Sequence, residues 1–136
     1  RLVWAANDEM AFGAMRAAQE QGRVPGKDLL FSALNNSTEV LKARLDERVS
    51  VLVSGHFTAG GWAMVLLHDY DAGLDFVARG GKDRQDALFM QLDKPQAQRL
   101  LRRMQGKRFG LDFKRFSAVG HPAQRDYRFS LQPLLN

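Results

Sequence analysis

Three short apolar runs, each closed by polar residues, constrain most strongly how this chain can fold. Leu2–Ala6 runs into Asn7-Asp8, Asp28–Leu34 into Asn35-Asn36-Ser37, and Val49–Val53 into Ser54-Gly55-His56-Phe57. Runs of this length suit strands buried on both faces. The segments between them have helical spacing: Ala11, Ala14, Met15 and Ala18 share one face, and Ser37 or Thr38 can cap a helix carrying Val40, Leu41 and Leu45. Gly22 reads as a C-cap and Val24-Pro25-Gly26-Lys27 as a turn. Strands alternating with helices through short turns predict an α/β protein with a mainly parallel sheet flanked by helices.

The second half is less regular. Gly60–Tyr70 reads as a buried helix around Trp62, Ala63, Val65 and Leu66. Leu74–Ala78 is a weaker strand candidate, Arg79–Asp86 a loop, and Ala87–Leu92 a further strand. Pro95 suits the first turn of a helix running to about Gln105, which Gly106 ends. Asp112–Phe116 is expected to form one helical turn, and Tyr127–Leu131 an edge strand.

In open parallel sheets, ligands bind beyond the carboxyl ends of the strands. The three polar strand ends therefore form a candidate site of mostly uncharged donors and acceptors, suited to a small polyhydroxylated ligand rather than a phosphate. Its candidate contacts are Asn7, Asn35, Ser54, His56 and Phe57, with Phe57 offering an apolar face. At the first seam either Asn7 or Asp8 can cap the helix. The expected division gives the cap to Asp8 and leaves Asn7 to face the ligand.

Other chemistries lack their motifs. There is no GxGxxG, no GxxxxGK[ST] and no GxSxG frame. His56, His68 and His121 form no HxH or HExxH pair, so no metal site and no cofactor are expected. His68, inside an apolar helix, reads as structural, and His121 as exposed. The chain has no cysteine, which excludes disulfides and thiolate catalysis. Charge is uneven: residues 94–136 carry ten Lys or Arg against two Asp, and residues 1–93 carry ten against thirteen acids. The basic residues Arg99, Arg102, Arg103, Lys107 and Arg108 have helical spacing and no interleaved aromatics, so they read as a solvated helix face, not a nucleic-acid surface.

The first seam also carries a resemblance. Asn7-Asp8-Glu9-Met10-Ala11-Phe12-Gly13-Ala14, with the turn Val24–Asp28 after it, resembles the signature of type I periplasmic binding proteins of the ribose- and galactose-binding kind. The resemblance is close from Leu2 to about Gly73 and architectural over Ala87–Gly106. It implies two α/β lobes that close on a small ligand, usually a sugar, with three chain crossings between them and no catalysis. It puts the family's sugar-binding Asn on Asn7, its sugar-binding Asp on Asn35, and its third contact on Ser54 or Gly55, a role that His56-Phe57 can take over. Asn35 lacks the charge that makes a carboxylate acceptor roughly twice as strong.

The resemblance further implies that residues 1–53 belong to the C-terminal lobe, residues 54–86 to a hinge crossing and part of the N-terminal lobe, and residues 87–136 to the return crossing, the C-terminal helix and the tail. The implied location is periplasmic, and the implied listener is an ABC permease or a sensor kinase. The segment from Ser54 to Gly73 is similar to the sensor-linked, autoinducer-binding branch. A chain opening on a strand with no initiator Met is expected to lack its natural start, and a half-molecule with open strand edges is expected to self-associate. The main alternative is the effector domain of a lactose-repressor-type regulator. Those regulators usually carry proline where Val49–Gly61 has none. A small enzyme fragment is the remaining reading, without a motif to support it.

Overall fold

Short apolar runs make β1 (Leu2–Trp4), β2 (Leu30–Leu34) and β3 (Val51–Ser54), and a later one makes β4 (Met90–Leu92). The structure, a computed structural model, describes residues 1–75, 77, 80–81, 83–106, 110–121 and 127–136. The four strands form one sheet in the order β1-β2-β3-β4. β1 pairs parallel with β2 (Val3 opposite Phe31), β2 parallel with β3 (Ala33 opposite Leu52), and β3 antiparallel with β4 (Ser54 opposite Met90). The expected parallel sheet is thus present, with one antiparallel strand at its edge.

Helices α1 (Asp8–Glu20), α2 (Thr38–Leu45) and α4 (Lys94–Met104) cover one face of the sheet. Each is started by a side-chain cap that satisfies an otherwise unpaired backbone N–H. Asn7 accepts from Met10 N–H, Ser37 from Val40 N–H, and Asp93 from Gln96 N–H in a full capping box with Pro95 in the first turn. Ala11, Met15, Ala18, Val40, Leu41, Ala97 and Leu100 close onto Phe31, Ala33, Leu52 and Leu92 in the main core. The opposite face carries exposed Leu2, Leu30 and Trp4, the last 77% accessible. On the outer side of α4, Arg99 and Arg102 are solvated, as their spacing predicts, whereas Arg103 is half-buried and donates to the Asn136 carbonyl at 2.7 Å, and Lys107 and Arg108 lie outside the described residues.

A second core forms around α3 (Ala59–Asp71). Trp62 is its centre: Phe113 and Phe116 meet its ring edge-on at 4.8 and 4.9 Å, and Phe129 stacks on it at 4.9 Å. The single turn expected at Asp112–Phe116 is the 3-10 turn Phe113–Phe116, capped by Asp112. The edge strand expected at Tyr127–Leu131 does not form. Tyr127, Phe129 and Leu131 are buried at alternate positions, which is the pattern the sequence shows, but they pack by their side chains and pair with no strand among the described residues. Leu74 and Asp75 likewise carry no strand, and Phe76 and Ala78 of that candidate lie outside the described residues.

The two cores meet at Gly55. Its φ of +129° is strained for any residue with a Cβ, and a Cβ here would lie 1.9 Å from the Leu88 carbonyl oxygen and 3.6 Å from Leu131 Cβ. The chain leaves the main core just before Gly55, returns to it between Leu88 and Met90, and returns again between Phe129 and Leu131. Three crossings are therefore packed at one point, and only glycine lets them approach. We predict that Gly55→Ala lowers stability by more than about 2 kcal/mol, through backbone strain and the displaced crossing. Urea unfolding measures it.

Asp69 holds the tail to α3. Its carboxylate is fully buried and accepts from Ser117 Oγ, from Ala118 N–H at 2.6 Å and from Tyr127 Oη–H at 2.6 Å. His68 is a largely exposed side chain with Nδ1 3.1 Å from Asp69 Oδ1. Burial pushes the Asp69 carboxyl up, but hydrogen bonds from Ser117, Tyr127, Ala118 and His68 outweigh it and bring the pKa from 3.8 to about 2. A depressed carboxylate pKa gives stability that is full above its ordinary value and is lost as pH falls through the folded value. The stability of the folded chain should therefore drop by about 2 kcal/mol from this group between roughly pH 4 and pH 2. Asp69→Ala should cost roughly 3 kcal/mol at pH 7, by stranding three buried donors, and should flatten that acid slope. Urea melts across this pH range check both.

Candidate functional site

Parallel pairing brings the carboxyl ends of β1, β2 and β3 to one edge of the sheet. Asn7 follows β1, Asn35 follows β2, and Ser54 closes β3, with His56 and Phe57 in the 3-10 turn just beyond it. All five candidate residues thus lie along the carboxyl ends of three neighbouring strands.

Asn7 and Asp8 divide their work differently from the expected division. The cap is Asn7: its Oδ1 accepts from Met10 N–H at 2.9 Å. Asp8 is only 2% exposed, and its Oδ1 accepts from Asn35 Nδ2 at 2.8 Å and from Glu9 N–H at 3.1 Å. The extended backbone of Asn7 is the usual cap geometry, which leaves Asp8 turned inward on the buried stripe with Ala11, Met15 and Ala18. Asn7 Nδ2 and Asn35 Oδ1 have no partner among the described residues. The Asn7 NH2 group and the Asn35 amide oxygen are thus left over once the cap and the Asp8 contact are made.

Ser54 is fully buried, and its Oγ has no partner among the described residues; His56 Nδ1 is in the same condition. A buried polar atom left unpaired costs roughly 1–3 kcal/mol, and Ser32 Oγ, midway along β2, is unpaired in the same way. His56 lies between two aromatic rings, Phe57 edge-on at 6.2 Å and Phe89 nearly parallel at 6.0 Å. Phe57 also packs partly into the main core.

Phe89 was not singled out by sequence, and Asp8 was read there only as a cap. Phe89 is 58% exposed, directly before β4. Antiparallel pairing of β4 with β3 sets Met90 opposite Ser54, so Phe89 arrives at the same strand-end edge. Its signal, an apolar aromatic at the start of a return strand, cannot be read until strand direction is known. Among the described residues no group of three or more His, Asp or Glu could hold a metal ion, and no helix is long and apolar enough to cross a membrane. A cavity of about 160 Å³ lined by Met64, Val65, His68, Phe113, Lys114 and Ser117 lies in the second core, away from the strand ends.

No family model matches the chain. A search of solved structures aligns all of it with 42% of a periplasmic sugar-binding protein from Pseudomonas fluorescens, at 51% identity and a TM-score of 0.90. The chain has the fold of the type I periplasmic binding proteins. Other members of this fold are more distant. The galactofuranose-binding protein YtfQ of Escherichia coli strain K12 is 33% identical over 69 residues, 51% of this chain and 22% of that protein. The arabinose-transporter binding component of Shewanella sp. ANA-3, bound to α- and β-L-arabinofuranose, is 29% identical with a TM-score of 0.54, covering 76% of this chain and 33% of that one. The chain thus spans less than half the length of these binding proteins.

The cap assignment yields a prediction for this binding-protein fold. Asn7→Ala should lower stability by about 1 kcal/mol, whereas Asn7→Asp, which can still accept from Met10 N–H, should change it by a few tenths. Chemical denaturation of both variants measures the difference.

Proposed function

We propose that this chain is part of a periplasmic solute-binding protein that holds a small furanose-like sugar at the carboxyl ends of β1, β2 and β3, without catalysis. The observation that carries this reading is the strand-end edge itself: a donor at Asn7, an acceptor at Asn35 and a buried, unpaired hydroxyl at Ser54, beside the His56 and Phe89 rings. Neutral donors and acceptors of both signs match sugar hydroxyls, and ring faces match the apolar side of a sugar. The relatives named for galactofuranose and arabinofuranose point to the same ligand class.

The two hydrophobic cores support a two-lobe mechanism. Residues 1–53 build most of the sheet core, residues 54–86 carry the crossing and α3, and residues 87–136 return through β4. A ligand touching both sides of the Gly55 crossing would favour the closed arrangement, which an ABC permease or a sensor kinase then reads. A lactose-repressor-type effector domain is not favoured, because the relatives found are periplasmic binding proteins. The exposed face at Leu2, Trp4 and Leu30 and the open edge of β1 lead us to propose that the 136-residue chain alone self-associates; light scattering showing a stable monomer would contradict this.

Isothermal titration of the full-length protein with L-arabinose, D-galactose and methyl furanosides tests the binding reading. We expect binding at micromolar concentration or tighter for at least one furanose, and a loss of tenfold or more in Asn35→Ala. No heat from any of these sugars would overturn it.

A further inference from the structure

We infer that Asp8 is a positioning residue for ligand recognition: its buried carboxylate locks the Asn35 amide so that Oδ1 is the pole offered to the ligand. The inference rests on the sugar-binding reading and deepens it.

An asparagine amide can turn by half a rotation and exchange its donor for its acceptor, because the terminal torsion is broad and nearly two-fold. At Asn35 that exchange is blocked. Asp8 Oδ1 lies 2.8 Å from Asn35 Nδ2. A carboxylate accepts and does not donate, so only the NH2 group can face it. Turning the amide would set Oδ1 against the carboxylate inside a site where Asp8 is 2% exposed. The lock is therefore set by chemistry as well as by distance.

Asn7 is locked in the opposite sense. Its Oδ1 is committed to Met10 N–H at 2.9 Å, so its free pole is Nδ2. Two identical side chains on neighbouring strand ends thus present opposite polarity. A hydroxyl pair can donate to Asn35 and accept from Asn7, and a ligand of the reverse pattern is refused at both.

A second carboxylate at hydrogen-bond distance from Asp8 would have to share a proton with it. Asn35 with Asp8 keeps an oriented acceptor toward the ligand and avoids that repulsion. Asp8 therefore acts through Asn35 and does not itself touch the ligand.

The experiment uses the full-length protein and four forms: wild type, Asp8→Asn, Asn35→Asp, and the exchange Asp8→Asn/Asn35→Asp. Affinity for L-arabinose and D-galactose is measured by calorimetry, and the Asn35 side-chain NH2 signals are followed by 15N NMR. Asp8→Asn is expected to weaken binding at least tenfold and to shift the Asn35 NH2 signals, with the melting temperature within a few degrees of wild type. The exchange reverses the bond, with the amide at residue 8 donating to one carboxylate oxygen at residue 35 and the other oxygen left as an acceptor for the ligand, so it should recover affinity to within about threefold, which a merely structural role for Asp8 would not produce. If wild type binds and Asp8→Asn stays within twofold with unmoved Asn35 signals, the lock is overturned and the sugar-binding reading stands. Should Asp8→Asn fail to fold, a folded exchange form that binds more than tenfold weaker than wild type overturns it as well. If wild type binds neither sugar nor any methyl furanoside, the sugar-binding reading falls and the inference falls with it.

Discussion

Parallel pairing of β1, β2 and β3 sets the ends of three strands side by side, and the candidate site depends on that alignment. Val3 stands opposite Phe31, and Ala33 opposite Leu52. A slip of one residue would turn the buried Phe31, Ala33 and Leu52 away from α1, α2 and α4, so the core fixes the register. With the register fixed, Asn7, Asn35 and Ser54 have no freedom to separate. The main core thus does two things at once: it stabilises the sheet, and it assembles polar groups that lie far apart in sequence.

The second core is tied to the sheet at the Gly55 crossing. Thr58 accepts from Trp62 Nε1–H at 2.9 Å and donates to the Gly55 carbonyl at 2.7 Å, which fixes the start of α3 to the crossing. The tail is fastened to the same helix by the Asp69 carboxylate and by the stack of Phe113, Phe116 and Phe129 on Trp62. It then returns to the sheet core at Leu131, Leu134 and Leu135. The tail therefore links the two cores in addition to the crossings at Gly55 and Leu88. A linkage of this kind limits how far two bodies can move about a hinge, and here it rests on buried hydrogen bonds and aromatic packing rather than on exposed ion pairs.

Much of this was legible in the sequence, and the reasons are physical. Short apolar runs with polar ends gave three strands, helical spacing gave α1, α2, α3 and α4, and Ser37 and Pro95 marked starts that the caps bear out. The alignment of five candidate residues along the strand ends followed from the rule that parallel strands share an orientation. What remained hidden depends on contacts distant in sequence. Asn7 and Asp8 both favour a cap, and the choice between them turns on Asn35, 27 residues beyond Asp8. Phe89 reaches the site only because β4 runs antiparallel. Tyr127 and Phe129 alternate like a strand, yet their faces are taken by Trp62 and its neighbours, so burial and strand pairing part company there.

A crystal structure of the full-length protein with a bound furanose tests the central claim most directly. The account predicts a sugar hydroxyl within hydrogen-bond distance of Asn7 Nδ2 and another of Asn35 Oδ1, with the ring beside His56 and Phe89 and the Asp8–Asn35 contact intact. A sugar seated elsewhere, for instance in the small cavity beside His68 and Phe113, with Asn7 and Asn35 untouched, would contradict it.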